Sequence, residues 1–158
     1  MAVRSFLKVP DIPGPSVVAQ HKGEIEILGY SWGMSQSGSF VTGGSGAGKA
    51  EFEDLLLVAR TSEASPLLWE ACASGKHFPT AVLTSRRGGK QPLDFLKITL
   101  MDVVVTSYDL DAADEEPPLD QFTVGYAKIE TEFTPVDKSG KPKPPVKSGW
   151  DIRRNTKA

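Results

Sequence analysis

Apolar and polar residues alternate in short bursts along most of this chain, and Gly, Pro and Asp bound the bursts. A period of two predicts β-strands, because successive side chains of an extended strand point to opposite faces. Strands are expected near residues 3–9, 23–35, 51–59, 78–86, 93–107 and 120–133. The longest signal runs from Gln91 to Tyr108, with Leu96, Ile98, Leu100 and Val104 on one side and Phe95, Met101, Val103 and Val105 on the other. Apolar residues on both faces predict a central strand covered from both sides. In the second burst, Ile25 and Ile27 share one face while Leu28, Tyr30, Trp32 and Met34 share the other. The buried side therefore switches near Gly29, where a bulge or bend is expected. Beyond the switch, Gly29, Ser31, Gly33 and Ser35 form a small, uncharged face. It is that of an ordinary solvent-facing strand; it could also line a wet channel or a broad binding surface.

The segment from Ser65 to Lys76 departs from the β pattern. Ser65 is suited to cap the first N–H groups, Pro66 to take the first helical position, and Gly75 to end a helix in the left-handed conformation. One short helix is expected over about 65–75, burying Leu67, Leu68, Ala71 and Cys72. Six strand runs against a single helix predict a mainly β fold, a compact barrel or sandwich of two sheets with the helix at its side.

Three loops stand out. The run Gly43-Gly44-Ser45-Gly46-Ala47-Gly48-Lys49-Ala50 falls one residue short of a phosphate-binding P-loop, since Ala50 stands where a Ser or Thr hydroxyl would hold Mg²⁺. Its flanks also depart from that pattern: Ser35 to Phe40 is polar rather than a buried strand, and Phe52 to Val58 reads as a strand rather than a helix. A glycine-rich surface loop accounts for it, and a nucleotide site is the competing reading. The second loop, Asp109 to Pro118, holds five carboxylates but lacks the glycine and ligand spacing of a calcium loop. The third, 134–148, holds four prolines and four lysines and is expected to be extended, followed by a tail at 149–154 that docks back on the fold.

At 158 residues the chain suits a single domain spanning 1–158, and Cys72 is its only cysteine, which excludes an internal disulfide. A net charge of −2 leaves no electrostatic footprint for nucleic acid or an anionic membrane. No apolar run is long enough to span a bilayer, and Lys8 and Pro10 interrupt the start before a signal-peptide core can form. Catalytic candidates are sparse. His21, His77 and Cys72 do not make a zinc site, so no metal or cofactor is expected. A Cys72–His77 pair or the alternating Glu24 and Glu26 could serve catalysis, yet a packed thiol, a loop histidine and a solvated strand explain them as well.

Taken in order, Phe6-Leu7-Lys8, His21-Lys22, Glu24-Ile25, Tyr30-Ser31-Trp32-Gly33-Met34-Ser35-Gln36, the Gly43 to Lys49 loop, Ser65-Pro66-Leu67 and Gly75-Lys76-His77 closely resemble the haemolysin-coregulated protein family. These are the tube subunits of the bacterial type VI secretion system. Phe95 to Leu100, Ala127 to Glu130 and Gly149 to Arg153 continue the likeness over nearly the whole chain. The resemblance implies a β-barrel of two sheets with one helix, assembled as a homohexameric ring whose stacks form a hollow tube. It implies a contractile sheath, a trimeric spike protein and small effector proteins as partners, the effectors carried in the lumen. It also implies a structural rather than enzymatic role, and passage from the bacterial cytoplasm through the apparatus without a cleaved leader. On this basis Ser31 is a candidate lumen contact, and Gly43, Gly44, Ser45, Gly46, Ala47, Gly48 and Lys49 form a candidate ring-stacking or subunit-interface loop. Tyr30 stands where Trp is expected in many relatives, which adds a hydroxyl that needs a partner if buried. A nucleotide-binding enzyme and a monomeric β-barrel ligand-binding module are the alternatives.

Overall fold

A computed structural model describes residues 2–36 and 49–158. The described strands are β1 (Val3–Lys8), β2 (Ile25–Ile27), β3 (Gly29–Ser31), β4 (Met34–Gln36), β5 (Ala50–Phe52), β6 (Leu55–Arg60), β7 (His77–Arg87), β8 (Leu93–Asp111), β9 (Leu119–Gly125), β10 (Lys128–Phe133), β11 (Val146–Asp151) and β12 (Thr156–Lys157), with one α-helix, α1 (Ala64–Ser74). The alternating pattern thus yields a mainly β architecture.

β8 is the spine. Its residues 93–104 pair antiparallel with β7, and β1 and then β2 continue outward from β7. Along its other edge β8 pairs first with β10, Leu96 opposite Phe133, and further on with β9, Asp111 opposite Leu119. The stretch expected as one strand over 120–133 is therefore two, parted at Tyr126-Ala127. There the partners diverge: β9 takes β6 on its far edge, while β10 takes β11. Two leaves leave a shared spine, and they come back together at Leu28, whose N–H donates to the Val58 carbonyl at 2.7 Å. Ten strands belong to this curled sheet, and β4 and β5 form a separate two-stranded ribbon. The sheet is not closed as a barrel, because no ladder joins the short β2 and β3 across the bend at Leu28.

The core lies between the leaves. Leu7, Ile25, Leu55, Leu57, Leu100 and Phe122 are among its fully shielded side chains. In β8 the buried positions change parity, from Ile98 and Leu100 to Val103 and Val105. The two apolar faces expected from sequence are thus largely one inward face interrupted by an irregularity at Asp102, which sits at φ 55°. The β7 register runs unbroken past this point, Phe78 opposite Val103 and Ala81 opposite Leu100, and β7 changes its buried parity in step, so both strands turn together.

Helix α1 packs against β8. Ser65 does not cap it. The helix starts one residue earlier, where the Ser62 hydroxyl accepts from the Ala64 N–H at 3.2 Å. Ser65 lies inside the first turn with Leu68 and Ala71 on the buried face, while Leu67 and Trp69 are exposed and Cys72 is half-buried against the core. Gly75 ends the helix at φ 65°, as its sequence position predicts. The tail also docks: β11 extends the sheet beside β10, and the Ile152 N–H donates to the Ala127 carbonyl at 2.9 Å.

Candidate assembly site

Met34 pairs with Phe52, Ser35 with Glu51 and Gln36 with Ala50, and all three residues of β4 are exposed. Gly43, Gly44, Ser45, Gly46, Ala47 and Gly48 lie outside the described residues. Lys49 is described and exposed at the start of the return strand. The glycine-rich run therefore connects two antiparallel strands. A phosphate cradle of the P-loop kind needs a helix N-terminus after the lysine, and here β5 follows instead.

A hydrogen-bonded clamp holds the base of the ribbon. The Trp32 indole N–H donates to the Tyr126 hydroxyl, which donates to the Glu53 carbonyl at 2.7 Å, and the Glu53 N–H donates to the Gly33 carbonyl at 3.0 Å. Tyr126 is the residue between β9 and β10, so the point where the two leaves part also sets the ribbon's direction. Burial, with smaller help from the Asp54 and Glu53 charges, pushes the Tyr126 phenol above its ordinary range against the pull of the Trp32 N–H. Between the ribbon and the β10–β11 face lies an apolar groove of about 450 Å³, lined chiefly by Trp32, Met34, Phe52, Ile129 and Trp150. The buried Trp150 Nε1 has no hydrogen-bond partner among the described residues. The alternation of aromatic positions near Trp32 hinted at a buried face, but nothing local links it to residues 126 and 150.

Ser31 closes β3 opposite Leu56 and is exposed. It sits on the main sheet, whereas Lys49 adjoins the ribbon, so the two predicted contact residues belong to separate elements. The hydroxyl of Tyr30 finds its partner in Ser85 at 2.8 Å, and Ser85 is itself bonded to Ser5 at 2.9 Å.

The His21-Lys22 and Glu24 signature is a buried junction. His21 stacks flat on Phe6 with ring centroids 4.6 Å apart. Its Nδ1 lies 3.0 Å from Glu24 and its Nε2 3.0 Å from Asp94, which fixes a 3-10 turn at Ala19–His21 to the start of β8. Carboxylates accept only, so this arrangement is complete when both ring nitrogens donate. Asp120, 1% exposed, forms a second junction that sequence reading missed. It accepts from Thr61 at 3.0 Å, from Tyr108 at 2.8 Å and from Ser65, tying the start of α1 to β8 and β9. Burial and the bond to Asp120 push the Tyr108 phenol up to about 12. The conceivable Cys72–His77 pair is not assembled: His77 Nδ1 faces Asp102 at 2.9 Å, and Arg153 bonds the other oxygen of the same carboxylate. Among the described residues no group of His, Cys, Asp and Glu could hold a metal.

Residues 6–133 match the family described as type VI secretion system effector, Hcp. The chain belongs to the Hcp family. It is 41% identical to the Hcp1 protein of Pseudomonas aeruginosa over the full length of both chains. Among solved structures, a type six secretion system protein superposes with a TM-score of 0.93 at 27% identity, covering 99% of this chain and 100% of the other. Hcp1 from Salmonella typhimurium superposes with a TM-score of 0.84 at 30% identity, with both chains fully covered. The motifs that carried the resemblance fall at three kinds of position here: the buried histidine junction, the helix end and the clamped ribbon.

Proposed function

We propose that this chain is the tube subunit of a type VI secretion apparatus, forming hexameric rings that stack into a hollow tube and carry small effector proteins in the lumen. The full-length likeness to Hcp1 carries this reading. The architecture supports a structural rather than catalytic role: the polar clusters that sequence flagged join elements of the fold, and the aromatic groove and ribbon lie on the surface. A ring requires a heterologous contact, one patch of each subunit meeting a different patch on the next. In this assignment the ribbon with the Gly43 to Lys49 loop reaches an adjoining subunit or ring, and Ser31 offers its small exposed hydroxyl to cargo. The trimeric spike and contractile sheath are the further partners, and the subunit leaves the bacterial cytoplasm through the apparatus. No helix among the described residues is long and apolar enough to cross a membrane.

Light scattering on the native chain, with negative-stain microscopy of the same peak, tests this. The expected species has six times the 17.0 kDa chain mass and a central hole. A compact monomer at every concentration overturns the tube assignment and favours a ligand-binding module.

A further inference from the structure

β8 joins two ends of opposite charge. At one end, the β8–β9 hairpin exposes Asp109 and Asp111 in the last rungs of its ladder and Asp114, Glu115 and Glu116 beyond them, and no basic residue occurs between positions 109 and 120. At the other end, the chain past the Leu96–Phe133 pair exposes Lys138, Lys141 and Lys143, Lys147 follows in β11 opposite Glu132, and no acidic residue occurs between positions 138 and 147. The Asp111–Leu119 and Leu96–Phe133 pairs are separated by about 50 Å of strand contour, taking roughly 3.3 Å per residue. None of these nine charged side chains enters an ion pair among the described residues. The nearby Asp137 is already engaged, accepting from the Ser139 N–H and hydroxyl and from the Lys141 N–H.

Each end also leaves apolar side chains uncovered. Leu110 and Leu119 are 57% and 36% exposed on the acidic hairpin, and Phe133 and Val146, cross-strand partners on one face, are 49% and 66% exposed at the basic end. An exposed apolar pair rimmed by one charge, matched at the opposite pole by another rimmed by the opposite charge, is the pattern of two complementary halves of one contact.

We propose that copies of this chain dock end to end, the acidic β8–β9 hairpin of one seated on the lysine-rich end of the next. The two patches differ, so the contact is heterologous and repeats from copy to copy; with the ring closed through other surfaces, it serves as the stacking contact. This inference rests on the tube reading and assigns a role to the acidic loop, for which sequence supplied none.

The test uses the full chain and two variants, Asp111→Lys/Asp114→Lys/Glu115→Lys and Lys138→Glu/Lys141→Glu/Lys143→Glu, each checked for native fold by circular dichroism. Sedimentation and microscopy score assemblies longer than one ring at about 0.02 M and about 0.5 M salt, conditions that change screening several-fold. The parent is expected to stack more at low salt, each variant alone to lose stacking by roughly tenfold or more, and an equimolar mixture of the two to regain it. Parental stacking in both folded variants, or no recovery in the mixture, overturns the proposal while leaving rings and the tube assignment intact. Should a variant fail to fold, the salt response of the parent still decides: stacking unchanged between the two salt conditions overturns it. A parent that stays monomeric removes the tube reading itself.

Discussion

The Tyr126 hydroxyl receives the Trp32 N–H and donates to the Glu53 carbonyl, so one side chain from the β9–β10 junction bridges both strands leading into the ribbon. Removing the hydroxyl leaves a donor and an acceptor without partners while keeping the ring. Tyr126→Phe is expected to cost about 0.5–1.5 kcal/mol, the net worth of a hydrogen bond whose freed Glu53 carbonyl is open to water. Urea unfolding measures the loss, and a shifted emission of Trp32 in the folded variant reports release of the ribbon base. Unchanged stability and emission would show that the clamp does not fix the ribbon.

Asp120 serves three hydroxyl donors from three elements. Asp120→Ala strands Thr61, Ser65 and Tyr108 together, and the expected loss is about 3 kcal/mol or more. Chemical denaturation checks the size, and Asp120→Asn, which keeps an acceptor, should recover part of it.

The Tyr108 phenol ionises near 12 in the folded chain, against an ordinary value of 10.0. A folded state that holds its proton more tightly is fully stabilised below the unfolded value and loses that stability as pH rises through the interval between the two. Stability is therefore expected to be level up to about pH 10 on this account and to fall from there toward about 12. Asp120→Asn removes the charge that helps raise the phenol, and spectrophotometric titration should find Tyr108 ionising earlier in that variant.

Two glycines separate backbone strain from steric crowding. Gly75 has φ 65° with nothing within 4 Å of an added Cβ, so Gly75→Ala is expected to cost only about 1 kcal/mol from the left-handed backbone. An added Cβ at Gly14 would come within 2.5 Å of the Glu24 carbonyl and the Ile25 Cα. Both neighbours are backbone, so Gly14→Ala must displace the 14–23 turn from β2 and is expected to cost about 1–3 kcal/mol, the larger effect of the two. Thermal melts of both variants give the comparison directly.

His21 carries two carboxylates and a stacked Phe6. His21→Ala leaves Glu24 without its partner while Asp94 keeps Arg86 at 3.7 Å, and a loss of about 1–3 kcal/mol is expected, as when a shielded polar group is left unsatisfied. Equilibrium unfolding measures it. A loss below about 1 kcal/mol would place the junction among exposed ion pairs of little energetic weight.

Alternation of apolar residues placed β1, β6, β7 and β8, because burial on one face imposes a period of two on a half-covered strand, but it ran β9 and β10 together and did not mark β11, which begins at Val146 inside the Pro- and Lys-rich segment. The helix and its end at Gly75 were equally legible, since left-handed termination is a local backbone property. The ordered series of family motifs, from Phe6-Leu7-Lys8 to Gly149-Trp150-Asp151, identified Hcp. Tertiary structure decided what local pattern cannot encode. The irregularity at Asp102 returned the expected two-faced strand to a single inward face. The ladder partners of β9 and β10 parted at Tyr126 and divided the sheet into two leaves, since pairing is set between residues distant in sequence. Asp120 and His21 became junctions only when Tyr108 and Asp94, which come from β8, closed on them, because a hydrogen bond depends on position in space rather than on neighbours in the chain. The opposed charges of 109–116 and 138–147 were visible as composition, but the fold placed them at the two ends of one strand.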